Sequence, residues 1–186
     1  MASTDGEVDP RQHEAIEKTF NKFLNAYIDS SKARDVGVLS ATLDPACVRY
    51  IKPESLLRKM GAPSGFAFDV VNFENVMRNE MLVASSVQLE VSNVTIDSKA
   101  KRAAATTVHV NRFVDGQEFS LEHAWLVSFS DDGTKVTKVV EWCDPLEVLS
   151  YHAAMNALLE KTNAGAKVAD IAISGFKDGQ DERTKE

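Results

Sequence analysis

The sequence predicts an α+β domain built on a curved antiparallel sheet. Three observations carry this expectation. Apolar residues recur at helical spacing near the start, in the middle and near the end of the chain, whereas from Ser86 to Cys143 they alternate with polar ones. The alternating runs are joined by Asp115-Gly116 and by Asp131-Asp132-Gly133, turn sequences that fold a strand back onto its neighbour. The element order is helices, one strand, helices and then a long meander, which argues against a parallel doubly wound sheet.

Asp9-Pro10 reads as a helix N-cap followed by the residue favoured in the first turn, and Ile16, Phe20, Phe23, Leu24, Tyr27 and Ile28 continue at helical spacing. A shorter helix is expected from Asp35, carrying Val38, Leu39 and Leu43, until Asp44-Pro45 stops it before a first strand over Cys47–Ile51. Pro53–Met60 is expected as a brief helix and Gly61–Gly65 as flexible punctuation. Asp69 is expected to cap a helix bearing Val70, Phe73 and Met77 that covers a cavity mouth. Val87, Leu89 and Val91 then give way to Val94 and Ile96 in the opposite phase, which places a sheet-bending bulge at Ser92-Asn93. Strands follow at Lys101–Phe113, Glu118–Phe129 and Lys135–Cys143, before Asp144-Pro145 begins a helix reaching about Lys161. Residues 1–8 are expected to be disordered, 9–163 to form a single domain, and 164–186 to be a partly disordered extension in which Val168–Ile173 is apolar enough to dock.

A hydrophobic share of 44% and a charged share of 26% are those of a soluble globular protein, and no apolar run is long enough to span a membrane. The net charge of −7 comes from 21 basic and 28 acidic residues, with the basic ones scattered, so no footprint for nucleic acid is present. The polar, acidic start lacks the features of a secretory signal, and a cytoplasmic location is the residual expectation. Cys47 and Cys143 lack metal-ligand spacing and read as buried free thiols. Neither a Gly-rich phosphate loop nor an H-E-x-x-H pattern occurs, so no metal and no cofactor is expected.

Strand alternation puts Phe119, Leu121, His123, Trp125, Val127 and Phe129 on one face. His123 therefore sits on an apolar surface, where an imidazole needs a partner or a cavity. Glu141 shares a face of the next strand with Thr137, Val139 and Cys143, and a short hairpin can bring it to His123 as an acid/base pair. Arg49 on the first strand can neutralise Glu141 or hold a substrate oxygen. The bland alternatives are a hydrogen-bonded core histidine and an interior ion pair. His109 and Asn111 share a face with the small Ala103, Ala105 and Thr107, which leaves room for a ligand, and Tyr27, Phe119 and Trp125 complete the expected substrate-binding wall. His13 and His152 lie on helices without evident chemical partners. Val140 and Trp142 face away from Glu141, so the outer side of the sheet is apolar and suits a homodimer contact.

Three stretches, FNKFLNAYIDS, VRYIKPESL and HAWLVSFSDDGTKVTKVVEWCDP, together with the element order over Asp9–Lys161, resemble the SnoaL-like branch of the nuclear transport factor two-like (NTF2-like) superfamily. The resemblance implies a cone-shaped α+β fold with helices packed on the concave face of the sheet. Within that branch the chain is most similar to fungal natural-product isomerases and cyclases, of the terretonin-isomerase and brevianamide-semipinacolase types. The semipinacolase type uses an arginine on its first strand, two tyrosines four residues apart on the penultimate strand and a glutamate on the last. Arg49 and Glu141 match the first and last of these, while Phe119 and His123 stand near the tyrosine positions. Phe119 cannot donate a hydrogen bond, so an acid role passes to His123.

The expected function is that of a cofactor-independent isomerase or cyclase acting on a hydrophobic polyketide, terpenoid or alkaloid intermediate. Its expected catalytic residues are Glu141, His123 and Arg49. A dehydratase or epoxide hydrolase with the same pocket, and a non-catalytic small-molecule-binding module, remain open alternatives.

Overall fold

The computed structural model describes residues 9–162; the expectations for the two chain ends, including docking of Val168–Ile173, lie outside the described residues. Helix α1 (Pro10–Ala33) starts where Asp9 Oδ1 accepts from Arg11 N at 2.9 Å, and it buries Ile16, Phe20, Phe23 and Leu24. A single turn, α2 (Gly37–Ser40), leads into strand β1 (Leu43–Lys52), followed by α3 (Glu54–Lys59) and α4 (Val70–Val83). Asp69 caps α4, its Oδ1 accepting from Asn72 N at 2.7 Å. The meander then runs through β2 (Ala84–Asp97), β3 (Arg102–Phe113), β4 (Glu118–Phe129) and β5 (Val136–Cys143). Asp144 caps the closing helix α5 (Pro145–Lys161). Among the described residues no helix is long and apolar enough to cross a membrane.

The five strands form one curved sheet in the order β1-β5-β4-β3-β2. All three hairpin pairings are antiparallel, as the alternation predicts. The bulge falls where the phase changes: the β2–β3 register shifts between Ser92 and Thr95, and Asn93 adopts φ 53°. One pairing departs from the antiparallel expectation, because β1 joins the edge of β5 in parallel, with Arg49 opposite Val139 and Ile51 opposite Glu141. Helices and three strands separate β1 from β5 in the chain, long enough for the crossover that a parallel pair requires.

The expected helix over Asp35–Leu43 is shorter than its apolar spacing suggests. It ends at Ser40, and Leu43 belongs to β1 instead. Val136 N donates to Thr42 O at 2.9 Å, so sheet pairing captures this segment before a second helical turn can form. Pro45 is tolerated because β1 lies at the edge and its register breaks between Leu43 and Val48.

The buried side chains lie mainly on one sheet face, beneath the helices. Residues 103, 105, 107, 109, 111 and 113 of β3 and 121, 123, 125, 127 and 129 of β4 are all buried, and their alternating neighbours are not. The turn between β4 and β5 locks this layer to α1. Gly133 has φ 73°, and a Cβ there would meet Ile16 Cγ1 at 2.8 Å, so the close approach of turn and helix requires glycine.

Candidate active site

The inner face of the sheet is divided between packing and a cavity. At one end α1 fills it, with Ile16, Phe20, Phe23 and Leu24 against Ala103, Ala105, Trp125, Val127, Phe129 and Val139. At the other end α3, α4 and α5 roof a cavity of about 120 Å³. Its floor comprises His109 and Asn111 of β3, Leu121 and His123 of β4, and Glu141 and Cys143 of β5. Tyr27 and an apolar roof including Leu56, Phe66, Phe68, Phe73 and Met77 enclose it, while Glu80 of α4 and Val148, Tyr151 and His152 of α5 close the helical side. The segment carrying Phe66 and Phe68 is pinned to β1: Arg49 N donates to Phe68 O at 2.8 Å and Phe68 N to Arg49 O at 2.9 Å. Backbone pairing thereby holds two aromatic rings over the cavity.

Glu141 is the hub of the floor. Its Oε2 accepts from Arg49 Nη1 at 2.8 Å, and its Oε1 lies 3.4 Å from His123 Nε2. The second contact follows from register. His123 pairs with Cys143 and Trp125 with Glu141, so the imidazole and the carboxylate are diagonal neighbours on one face. Arg49 Nη1 also donates to Tyr27 Oη at 2.7 Å, and its guanidinium lies 3.8 Å from the Phe73 ring centroid. Arg49 is 4% exposed and does not line the cavity, so its charge reaches the cavity through Glu141 and Tyr27.

Burial governs the protonation of the remaining groups. It lowers the pKa of His109 to about 3 and of His152 to about 4, and it lowers His123 against the opposing pull of Glu141. These imidazoles are therefore neutral near pH 7. Burial pushes Glu80 up to about 7 and Cys143 up to about 12, so the latter is a poor nucleophile. Several buried polar atoms have no partner within close hydrogen-bond geometry: Arg49 Nε, His123 Nδ1, Tyr151 Oη and His152 Nδ1. Among the described residues no three His, Cys, Asp or Glu side chains are grouped to hold a metal ion.

Of the residues anticipated from sequence, Glu141, His123, His109, Asn111 and Tyr27 line the cavity and Arg49 stands directly behind it. Two are displaced from the wall. Trp125 is covered by Phe23, whose ring centroid is 5.6 Å away, and its Nε1 donates to Thr107 Oγ1 at 2.8 Å. Phe119 packs instead on Phe113 and Tyr151, at 5.2 and 5.4 Å between centroids. Cys47 and Cys143 are both free thiols, the first buried and the second half-buried.

Both helical histidines do have surroundings of consequence. His13 Nδ1 lies 2.8 Å from Ser98 Oγ, and His152 lines the cavity. Glu80 and Tyr151 also escaped the sequence reading, although spacing carries a signal for each. Glu80 follows Phe73 by seven residues and Met77 by three, and Tyr151 follows Val148 by three, so each lies on its helix's apolar face.

No family model and no curated protein matches this sequence. Solved structures do. PrhC from Penicillium brasilianum is similar at 15% identity and TM-score 0.66, over 86% of this chain and 96% of its own. BvnE pinacolase from Penicillium brevicompactum is similar at 14% identity and TM-score 0.66, over 85% and 97%. An NTF2-like protein from Burkholderia pseudomallei is similar at 13% identity and TM-score 0.52, over 73% and 95%. The curved five-stranded sheet with helices over one face is thus an NTF2-like fold.

Proposed function

We propose that this chain is a cofactor-independent isomerase or cyclase that applies general acid/base chemistry to a hydrophobic intermediate of polyketide, terpenoid or alkaloid type. The observation that carries this reading is the division of the Glu141 carboxylate, with Oε2 tied to Arg49 and Oε1 beside His123 at the wall of an apolar cavity. The Arg49 guanidinium compensates the buried charge, while Oε1 is left to accept a proton from a substrate carbon or hydroxyl. His123, neutral near pH 7, acts as a hydrogen-bond donor that polarises an oxygen rather than as an imidazolium acid. Returning that proton at another atom completes an isomerisation with no net change in composition. A fold neighbour described as a pinacolase also favours a rearrangement. The half-exposed Leu126 and Trp142 on the outer sheet face favour a homodimer.

The test uses 1-indanone, a small bicyclic ketone, in deuterated buffer. Protein-dependent exchange of its α-protons, read by mass spectrometry and abolished in Glu141→Gln, is the expected result. A ligand-induced thermal shift with no exchange above buffer would instead identify a binding module.

A further inference from the structure

The helical wall of the cavity carries polar groups that the Arg49–Glu141–His123 set does not use. Tyr151 of α5 is 2% exposed and lines the cavity, and its hydroxyl has no partner within close hydrogen-bond geometry. His152, its neighbour, also lines the cavity and has a buried, unpaired Nδ1. Glu80 of α4 lines the same wall, and its carboxyl engages the Tyr151 hydroxyl electrostatically and through a loose hydrogen bond outside close geometry. Buried hydroxyls and imidazoles without partners are uncommon, because each forfeits the hydrogen bonds it made to water. A hydroxyl held only loosely by Glu80 and an unpaired imidazole nitrogen on adjacent residues, facing a cavity whose roof is otherwise apolar, indicate an oxygen-bearing occupant.

We propose that Tyr151, with Glu80 and His152, forms a second oxygen-binding subsite, in which the Tyr151 hydroxyl donates a hydrogen bond to a carbonyl or ether oxygen of the hydrophobic ligand. The subsite rests on the reading above for the occupant alone. The ligand then has its reacting carbon at Glu141 on the sheet and an acceptor oxygen held by the helices. Tyr151 is anchored to do this, since its ring packs on Phe113 and Phe119 with centroids 5.1 and 5.4 Å away. Burial keeps the phenol un-ionised and therefore a donor, and it raises Glu80 to about 7, so the nearby carboxyl is partly protonated at neutral pH.

The experiment compares 4-chromanone, whose ether oxygen stands across the ring from its carbonyl, with 1-tetralone, its counterpart with a methylene in place of that ether oxygen, by calorimetric titration of the full chain. Tyr151→Phe preserves the ring packing and is expected to lower the ratio of 4-chromanone to 1-tetralone affinity about fivefold. His123→Phe, which removes the donor on the sheet, is expected to weaken both ketones alike. An unchanged ratio in Tyr151→Phe, or no binding of 4-chromanone to the wild-type protein, overturns the subsite. Loss of the preference in His123→Phe but not in Tyr151→Phe also overturns it, by placing the ether oxygen on the sheet. Failure of the isomerase reading looks different, with the Tyr151 dependence intact and no α-proton exchange.

Discussion

Arg49 Nη1 donates to Glu141 Oε2 at 2.8 Å across the parallel β1–β5 pair, with Arg49 4% and Glu141 12% exposed at the side chain. The parallel register makes this contact possible. Ile51 is the residue opposite Glu141, so Arg49, two positions earlier on the same face, reaches along the strand to the carboxylate. A buried pair of this kind has a large cost of desolvation, and its attraction offsets that cost only while both partners are present.

Removing one partner is therefore expected to harm the fold more than removing both. Arg49→Met leaves Glu141 uncompensated and should lower unfolding free energy by about 3–5 kcal/mol. Arg49→Met with Glu141→Leu should recover most of that loss. Urea unfolding of wild type, both single variants and the double variant measures the coupling, and additive effects would show that the two side chains do not act as a pair.

Much of this arrangement was legible in the sequence because strands alternate strictly. Once Phe119 to Phe129 were placed on one face, His123 had to point inward, and the short β4–β5 hairpin had to bring Glu141 near it. Alternation gives a face but no depth along it, which is why it leads to a wall position for Trp125 although α1 covers that ring. The parallel addition of β1 was not legible either, since nothing local distinguishes an edge strand that pairs by hairpin from one that arrives by a long crossover. Glu80, Tyr151 and His152 were missed for a different reason. On helices, polar residues are ordinarily assigned to the solvated face, and only their three- and four-residue spacing to Met77 and Val148 betrays them.

Stability should depend on pH in two opposing ways. His109 and His152 have folded pKa values lowered to about 3 and 4 from 6.5, so below 6.5 the unfolded chain binds protons that the folded one refuses. Their stabilisation is complete above pH 6.5 and is lost as pH falls, at up to about 1.4 kcal/mol per pH unit for each group. Glu80, raised from 4.5 to about 7, has the opposite sign: the folded state holds the extra proton, and its contribution falls as pH rises from 4.5 to 7. Urea midpoints from pH 4 to 8 should thus show a shallower acid loss in His109→Gln than in wild type. They should also show Glu80→Gln gaining on wild type toward pH 8. Curves parallel to wild type in both variants would contradict these assignments.

The outer sheet face is expected to join two copies of the chain. Leu126 and Trp142 are 51% and 47% exposed there, on adjacent strands, and pairing two such faces removes both from water. Light scattering at micromolar concentration should give twice the chain mass, and Trp142→Lys should return it to the monomer. A monomeric wild-type protein would rule this interface out.

The most direct test of mechanism is Glu141→Gln, because a buried carboxylate contributes differently to folding and to proton transfer. Glutamine keeps the size of the side chain, and its amide oxygen can still accept from Arg49, but it cannot take a proton from substrate. Arg49 also retains Tyr27 Oη at 2.7 Å and the Phe73 ring, so the guanidinium is not wholly stranded. The variant is therefore expected to fold with a lowered melting temperature, to bind 1-indanone, and to lose its α-proton exchange by roughly two to four orders of magnitude per folded molecule. Correcting the rate for the folded fraction, measured on the same preparation, is what separates the two roles. If Glu141 only compensates Arg49, exchange will track the folded fraction, and a folded variant exchanging at the wild-type rate would remove Glu141 from the chemistry. His123→Phe extends the comparison: it preserves an aromatic ring on the cavity floor and removes the donor. If the imidazole polarises the reacting carbonyl, this variant should lose rate while Glu141 remains charged and paired with Arg49.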